Sequence, residues 1–218
     1  MPPSSIDLRA LLELVDARAA PPPSPLPTDK AAWRAALSAL LRGRDHGGRR
    51  LHADRLARDV VRLAQAVGAR VVGLYSPLGA EVDTRPLANA LAVAGIETAW
   101  PRVRGAGPEL DFALASGPAA LQPRPRSRLL EPVGPPIDPN LLDVVVVPTV
   151  GVRPDGPRLG RGGGSYDRYL PGLRDDAICI AAAPCACVVD WFPNADHDAL
   201  MHLVATEDGL WACLAESP

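Results

Sequence analysis

The chain has 218 residues, of which 47% are hydrophobic, 22% charged and only 4% aromatic, with a formal net charge of −2. That length suits one domain with accessories, and Leu, Val and Ala must fill its core. The near-neutral charge excludes a strongly basic nucleic-acid binder, and no apolar run reaches the roughly 18 residues of a membrane span, which predicts a soluble cytoplasmic protein.

Residues 6–18 carry Ile6, Leu8, Leu11, Leu12, Leu14 and Val15, a spacing that predicts a short amphipathic helix. Residues 19–27 hold proline at five of nine positions and form a stiff tether. The organisation is therefore an appendage over residues 1–28 and a single α/β domain over 29–218. Asp29 is placed to cap a helix running to about residue 42, with Trp33, Leu37, Leu40 and Leu41 on its apolar side. Lys30, the only lysine in the chain, and Arg34 share one face of that helix near its start. Cations are disfavoured there by the helix dipole, so the pair is either simply solvated or waiting for an anion. A second helix is expected over residues 51–67, ended by Gly68.

Residues 70–75 predict a short buried strand. The loop 76–84 follows, and then a helix over 85–94 for which Asp83 or Thr84 can serve as cap. Glu81 then lies just past the carboxyl end of a strand, where open α/β sheets place ligands, although on spacing alone it reads as an ordinary solvated loop acid. A strand at 97–100 is expected to stop before Pro101, and 109–115 reads as an edge strand. Residues 117–140 are proline-rich and irregular, a length of loop that is usually functional. Residues 143–147 (DVVVV) are the most strand-like run, and 177–182 and 200–205 predict two more strands. Strands alternating with helices indicate a three-layer α/β/α sandwich with a mostly parallel sheet.

From the end of the 143–147 strand hangs RLGRGGGSYDRYL, residues 158–170. Gly160, Gly162, Gly163 and Gly164 let peptide N–H groups turn toward an anion, and a following helix start would add its dipole. Arg158 and Arg161 supply mobile positive charge beside them. The stretch is neither a Walker loop, which needs a closing Gly-Lys-Ser/Thr, nor a GxGxxG fingerprint. Further on, Asp196-His197-Asp198 offers hard oxygen ligands for magnesium, or is a turn with a helix cap. The four cysteines, Cys179, Cys185, Cys187 and Cys213, fit neither a disulfide framework nor a zinc site.

Residues 158–170 resemble the signature loop of the 5-formyltetrahydrofolate cyclo-ligase (5,10-methenyltetrahydrofolate synthetase) family. Lys30-Ala-Ala-Trp-Arg34 resembles that family's N-terminal Lys-x-x-Leu-Arg, and Glu81-Val82-Asp83-Thr84 matches its Glu-Val-Asp-Thr. Leu110-Asp-Phe112, Glu131-Pro132, Val147-Pro148, His197-Asp198 and Ala205-Thr206-Glu207 fall in family order. The resemblance implies a NagB/RpiA/CoA-transferase-like sandwich. It also implies the conversion of 5-formyltetrahydrofolate and ATP, with Mg2+, into 5,10-methenyltetrahydrofolate, ADP and phosphate. By matching position, it gives ATP to Lys30, Arg34, Arg158, Gly160, Arg161, Gly162, Gly163, Gly164 and Tyr166. It gives the folate to Glu81, Arg161, Gly164 and Ser165, catalysis to Arg161 and Glu81, and the metal to Asp167 and Asp198. The partners implied are ATP and a reduced folate, without nucleic acid or membrane, in a monomer or weak homodimer. Ser165 stands where the family has its first tyrosine, and no glutamine occurs near Ala186 or Cys187. These departures leave a second reading, a relative that binds nucleotide or folate without turnover as a regulatory or partner module.

Overall fold

The computed structural model describes residues 27–105, 107–125 and 129–213. The predicted helix at 6–18 and most of its tether lie outside them. Asp29 caps the first helix as its position predicts, its carboxylate accepting from the N–H groups of Ala31 and Ala32 at 2.9 and 2.8 Å. This helix, α1 (Lys30–Gly43), buries Trp33, Leu37 and Leu41. Leu40 departs from expectation and is 46% exposed, because the buried stripe follows steps of four and excludes it.

Helix α2 (His46–Ala66) starts five residues earlier than the apolar pattern predicts. Asp45 accepts from the Gly48 N–H at 2.7 Å, and Arg49 reaches back to the Arg42 carbonyl at 2.8 Å. Side-chain capping thus outweighs the helix-breaking tendency of Gly47 and Gly48. Strand β1 (Val71–Gly73) leads through the 76–84 loop to α3 (Arg85–Val93). Thereafter come β2 (Glu97–Val103) and β3 (Leu110–Leu114). A two-stranded strap of β4 (Gln122–Pro123) and β5 (Leu130–Glu131) lies within the proline-rich excursion.

Strand β2 runs through Pro101 instead of stopping before it. Ala115 N–H donates to the Thr98 carbonyl and Arg104 N–H to the Glu109 carbonyl, so even-numbered residues of β2 face β3. Pro101 faces the other side, where β1 has already ended, and no ladder bond is lost.

Strand β6 (Val144–Pro148) is buried on both faces. Val144 and Val146 join the core under α2 and α3, whereas Val145 and Val147 join the core under α1. A hairpin of β7 (Gly151–Val152) and β8 (Arg158–Leu159) then carries the chain to α4 (Ser165–Tyr169). The chain ends its sheet with β9 (Ile178–Ala182), β10 (Leu203–Ala205) and an unforeseen antiparallel edge strand β11 (Leu210–Ala212). The expected 200–205 strand is only three residues long, and Leu200 remains 56% exposed.

The seven-stranded sheet has the order β11-β10-β9-β6-β1-β2-β3, parallel within and antiparallel at both edges. The chain leaves β1 toward β2 on one side and later returns as β6 on the other. That reversal opens a crevice at the carboxyl ends of β1 and β6. Among the described residues no helix is long and apolar enough to cross a membrane.

Candidate active site

The crevice is a cleft of about 430 Å³ whose two ends differ in chemistry. Lys30, Arg34, Arg158, the 160–164 glycine loop, Asp167, His197 and Asp198 line one end. Pro101, Val103, Leu110, Leu129, Leu130 and Glu131 line the other, where the strap crosses the start of β3 and the end of β2. Glu81, Arg161 and Tyr166 stand between them.

The 76–84 loop is held by two reciprocal bonds. Thr84 Oγ1 donates to the Tyr75 carbonyl at 2.6 Å, and Tyr75 OH donates to the Val82 carbonyl at 2.9 Å. The Thr84 hydroxyl therefore does not cap α3; Asp83 accepts the Arg85 N–H instead, at 3.0 Å. So fixed, the loop turns Glu81 inward. Its side chain is only 5% exposed, which removes the solvated loop-acid reading. One carboxylate oxygen accepts from the Leu78 N–H at 2.8 Å and the other from Arg161 Nε at 2.6 Å. Arg161 also donates to the Leu78 carbonyl at 2.5 Å, so it bridges the glycine loop to the strand-end loop.

Gly162 and Gly164 adopt φ of 96° and 68°, a left-handed backbone that an L side chain resists. Arg34 lies against Gly162 and donates through Nε to the Gly160 carbonyl at 2.9 Å, fixing the loop to α1. Helix α4 is five residues long and passes at once into the 3-10 turn Leu170–Gly172. The dipole expected of a longer helix is therefore small, and cations and peptide N–H groups must carry anion binding.

Arg158 is not mobile. Its side chain is 3% exposed, donates to Asp167 Oδ1 at 3.0 Å and lies 5.7 Å from the centroid of the Tyr166 ring. Burial pulls its pKa below the ordinary guanidinium value, against the nearby Asp167 carboxylate. Arg158 Nε and Tyr166 OH are both buried without a hydrogen-bond partner. Burial holds the Tyr166 phenol well above its ordinary pKa, so it remains a donor. Two orphaned donors beside a glycine loop suit a ligand with acceptor oxygens.

Asp198 Oδ2 accepts from Lys30 Nζ and from the Ala195 N–H, the latter at 2.7 Å. The Asp196-His197-Asp198 trio is thus a turn, closed by Asp198 N–H to the Ala195 carbonyl at 2.9 Å, with only His197 and Asp198 lining the cleft. Burial raises the Asp198 pKa, but Lys30 and the Ala195 N–H outweigh it and hold the group below the usual carboxylate value. The Ala199 N–H donates to Asp167 Oδ1 at 3.3 Å, which ties Asp167 to the residue that follows Asp198. Among the described residues no group of three or more His, Cys, Asp or Glu side chains could hold a metal. Magnesium does not require one: one or two carboxylates with substrate phosphate and water complete its octahedron. Asp167 and Asp198 fit that pattern, since each binds its cation through one oxygen and leaves the other outside those bonds.

Every site residue named from sequence, Ser165 included, therefore lines one cleft. The apolar end was not foreseen, because Pro101, Val103 and Leu110 are ordinary strand residues that meet only through β2–β3 pairing.

A family model described as the 5-formyltetrahydrofolate cyclo-ligase family matches residues 27–207. A relative from Mycolicibacterium smegmatis, named 5-formyltetrahydrofolate cyclo-ligase, is 30% identical over 153 residues, covering 67% of this chain and 78% of that protein. The NMR structure of Aquifex aeolicus 5,10-methenyltetrahydrofolate synthetase superposes with a TM-score of 0.74 at 25% identity, over 87% of this chain and 94% of that one. The 5,10-methenyltetrahydrofolate synthetase of Mycoplasma pneumoniae shares the fold at a TM-score of 0.65 and 22% identity, over 82% and 98% of the two chains. With nearly all of the described residues inside the family model, the chain belongs to the 5-formyltetrahydrofolate cyclo-ligase family.

Proposed function

We propose that the protein catalyses the ATP-dependent cyclisation of 5-formyltetrahydrofolate to 5,10-methenyltetrahydrofolate, releasing ADP and phosphate. The observation that carries this reading is the two-ended cleft, with a cationic glycine-loop end joined to an apolar end at Glu81 and Arg161. A formamide oxygen is a poor leaving group. Transfer of the γ-phosphoryl group from ATP to that oxygen gives an imidate phosphate and ADP. The N10 nitrogen then attacks the formyl carbon, its proton is lost and the C–O bond breaks to free phosphate.

Phosphoryl transfer asks a protein mainly for positioning and charge stabilisation. Lys30 and Arg34 supply point charge for the phosphates, and the peptide N–H groups of 160–164 supply directed donors. Arg158 Nε and Tyr166 OH, buried without partners, would donate to acceptor oxygens of the transferred group. Asp167 and Asp198 hold Mg2+, which when bound neutralises charge on the phosphate oxygens. The apolar end receives the ring system of the folate, and Glu81 with Arg161 orients it against the phosphates.

Mixing the protein with ATP, Mg2+ and 5-formyltetrahydrofolate should generate methenyltetrahydrofolate absorbance in the near ultraviolet, with one ADP per product. Saturating both substrates without product or ADP release, while calorimetry still detects binding, would replace this reading with that of a non-catalytic binding module.

A further inference from the structure

Resting on this assignment, the contact between Lys30 and Asp198 carries a further consequence. Lys30 is the cation positioned for nucleotide phosphate, and Asp198 is a carboxylate positioned for metal. In the structure the two are paired with each other. The other candidate ligand, Asp167, is paired differently. Its partner Arg158 is on a hairpin strand with a side chain 3% exposed, held by packing against Tyr166. Lys30 is the first residue of α1, its side chain is 26% exposed, and its ammonium ends a four-carbon stem with several rotatable bonds. Only one of the two cations is free to swing. His197 Nε2, 4.0 Å from Asp198 Oδ1, and Arg34, against the glycine loop, are the other basic groups near this end.

We infer that Lys30 acts as a stand-in cation at Asp198, opposing metal binding until nucleotide phosphate draws its ammonium away. A divalent ion approaching Asp198 meets a carboxylate oxygen already holding an ammonium and a peptide N–H. A phosphate approaching Lys30 meets an ammonium already neutralised. Each ligand entering first must therefore break the pair, and the second enters a site already opened. Such coupling is reciprocal by linkage: metal and nucleotide strengthen one another by one common factor, typically about 5- to 150-fold.

The test uses the full chain, without folate, so that no turnover intervenes. Mn2+ is the metal probe, followed by its electron paramagnetic resonance, and ADP in EDTA is the metal-free nucleotide probe. Lys30→Met should bind Mn2+ alone about tenfold more tightly than the wild type, Lys30→Arg should restore the weak affinity, and adding Asp198→Asn should abolish the gain. Reciprocally, Asp198→Asn should bind metal-free ADP more tightly than the wild type, and that gain should shrink in the Lys30→Met background. Equal Mn2+ affinity in wild type and Lys30→Met overturns the inference, as does a gain that survives Asp198→Asn. If the wild type binds no ADP under any condition, the proposed function falls, while the Mn2+ comparison still decides whether Lys30 competes at Asp198.

Discussion

Asp167 and Asp198 are equivalent as metal candidates, yet their cation partners make their loss unequal. Asp167→Asn leaves Arg158 buried without its counter-charge. Removing one partner of a fully buried pair costs about 3–5 kcal/mol, and the 22% exposure of the Asp167 side chain reduces this to about 2 kcal/mol. Urea unfolding should register that loss together with the weakened Mg2+ response. Asp198→Asn keeps an acceptor for the Ala195 N–H and frees a lysine that is 26% exposed and can turn to water, so its loss of unfolding free energy should be smaller, about 1 kcal/mol or less. Equal destabilisation of the two variants would refute the distinction. Glu81→Gln separates chemistry from stability in another way. The amide retains the size of the side chain and can still accept from Leu78, but it loses the charge that orients Arg161. The expected result is a fall of about tenfold or more in kcat/KM for the folate with little change in the KM for ATP. A parallel rise in the ATP constant would instead place Glu81 on the nucleotide.

At the scale of elements, Asp143 fastens the beginning of β6 to β1. Its carboxylate accepts from the N–H groups of Arg70 and Val71 at 2.6 and 2.8 Å and from Arg174 at 2.7 Å. Burial raises its pKa, but these donors together hold it below the usual carboxylate value. Asp143→Ala strands two backbone donors at the start of a three-residue strand, an expected cost of about 2–3 kcal/mol by urea unfolding. No measurable change would show that water replaces the carboxylate. The strand Asp143 serves was legible because a run of β-branched residues buried on both faces has few other destinations. Helix α1 was legible for a different reason, its cap and apolar stripe being local. Strand β11 was not, since three residues pair only because β10 offers an edge. Pro101 misled because its direction in the ladder depends on where a neighbouring strand ends. The glycine loop announced an anion, but Glu81 could not be told from a solvated acid by spacing. Its partner Arg161 is 80 residues away, and only the family resemblance joined the two before the fold did.

For the whole molecule, the layer packed on the far side of the sheet depends on a histidine that must stay neutral. His52 of α2 is fully buried, its Nε2 lies 3.1 Å from the Ala205 carbonyl, and its Nδ1 lies 3.5 Å from both Glu207 Oε2 and Arg44 Nη1. The carbonyl contact assigns the proton to Nε2 and joins α2 to the end of β10. Burial lowers the His52 pKa to about 4, with the Glu207 carboxylate opposing the shift and Arg44 reinforcing it. An unfolded histidine takes up its proton near pH 6.5. Between those values the unfolded chain binds the proton and the native protein does not. The stabilisation is therefore complete above about pH 6.5 and is lost as pH falls toward 4, at a limiting slope of about 1.4 kcal/mol per pH unit. His202, whose Nδ1 accepts the Cys179 N–H at 2.9 Å, is lowered by burial as well and adds to the same slope. Asp143 acts in a lower window, below the ordinary carboxylate value near pH 4. Urea unfolding at intervals from pH 7.5 to 4.5 should show stability declining with acid. His52→Gln, which keeps a donor for the Ala205 carbonyl, should flatten the decline and leave the His202 share. An undiminished slope in that variant would move the acid sensitivity to His202 or to the carboxylates of the cleft.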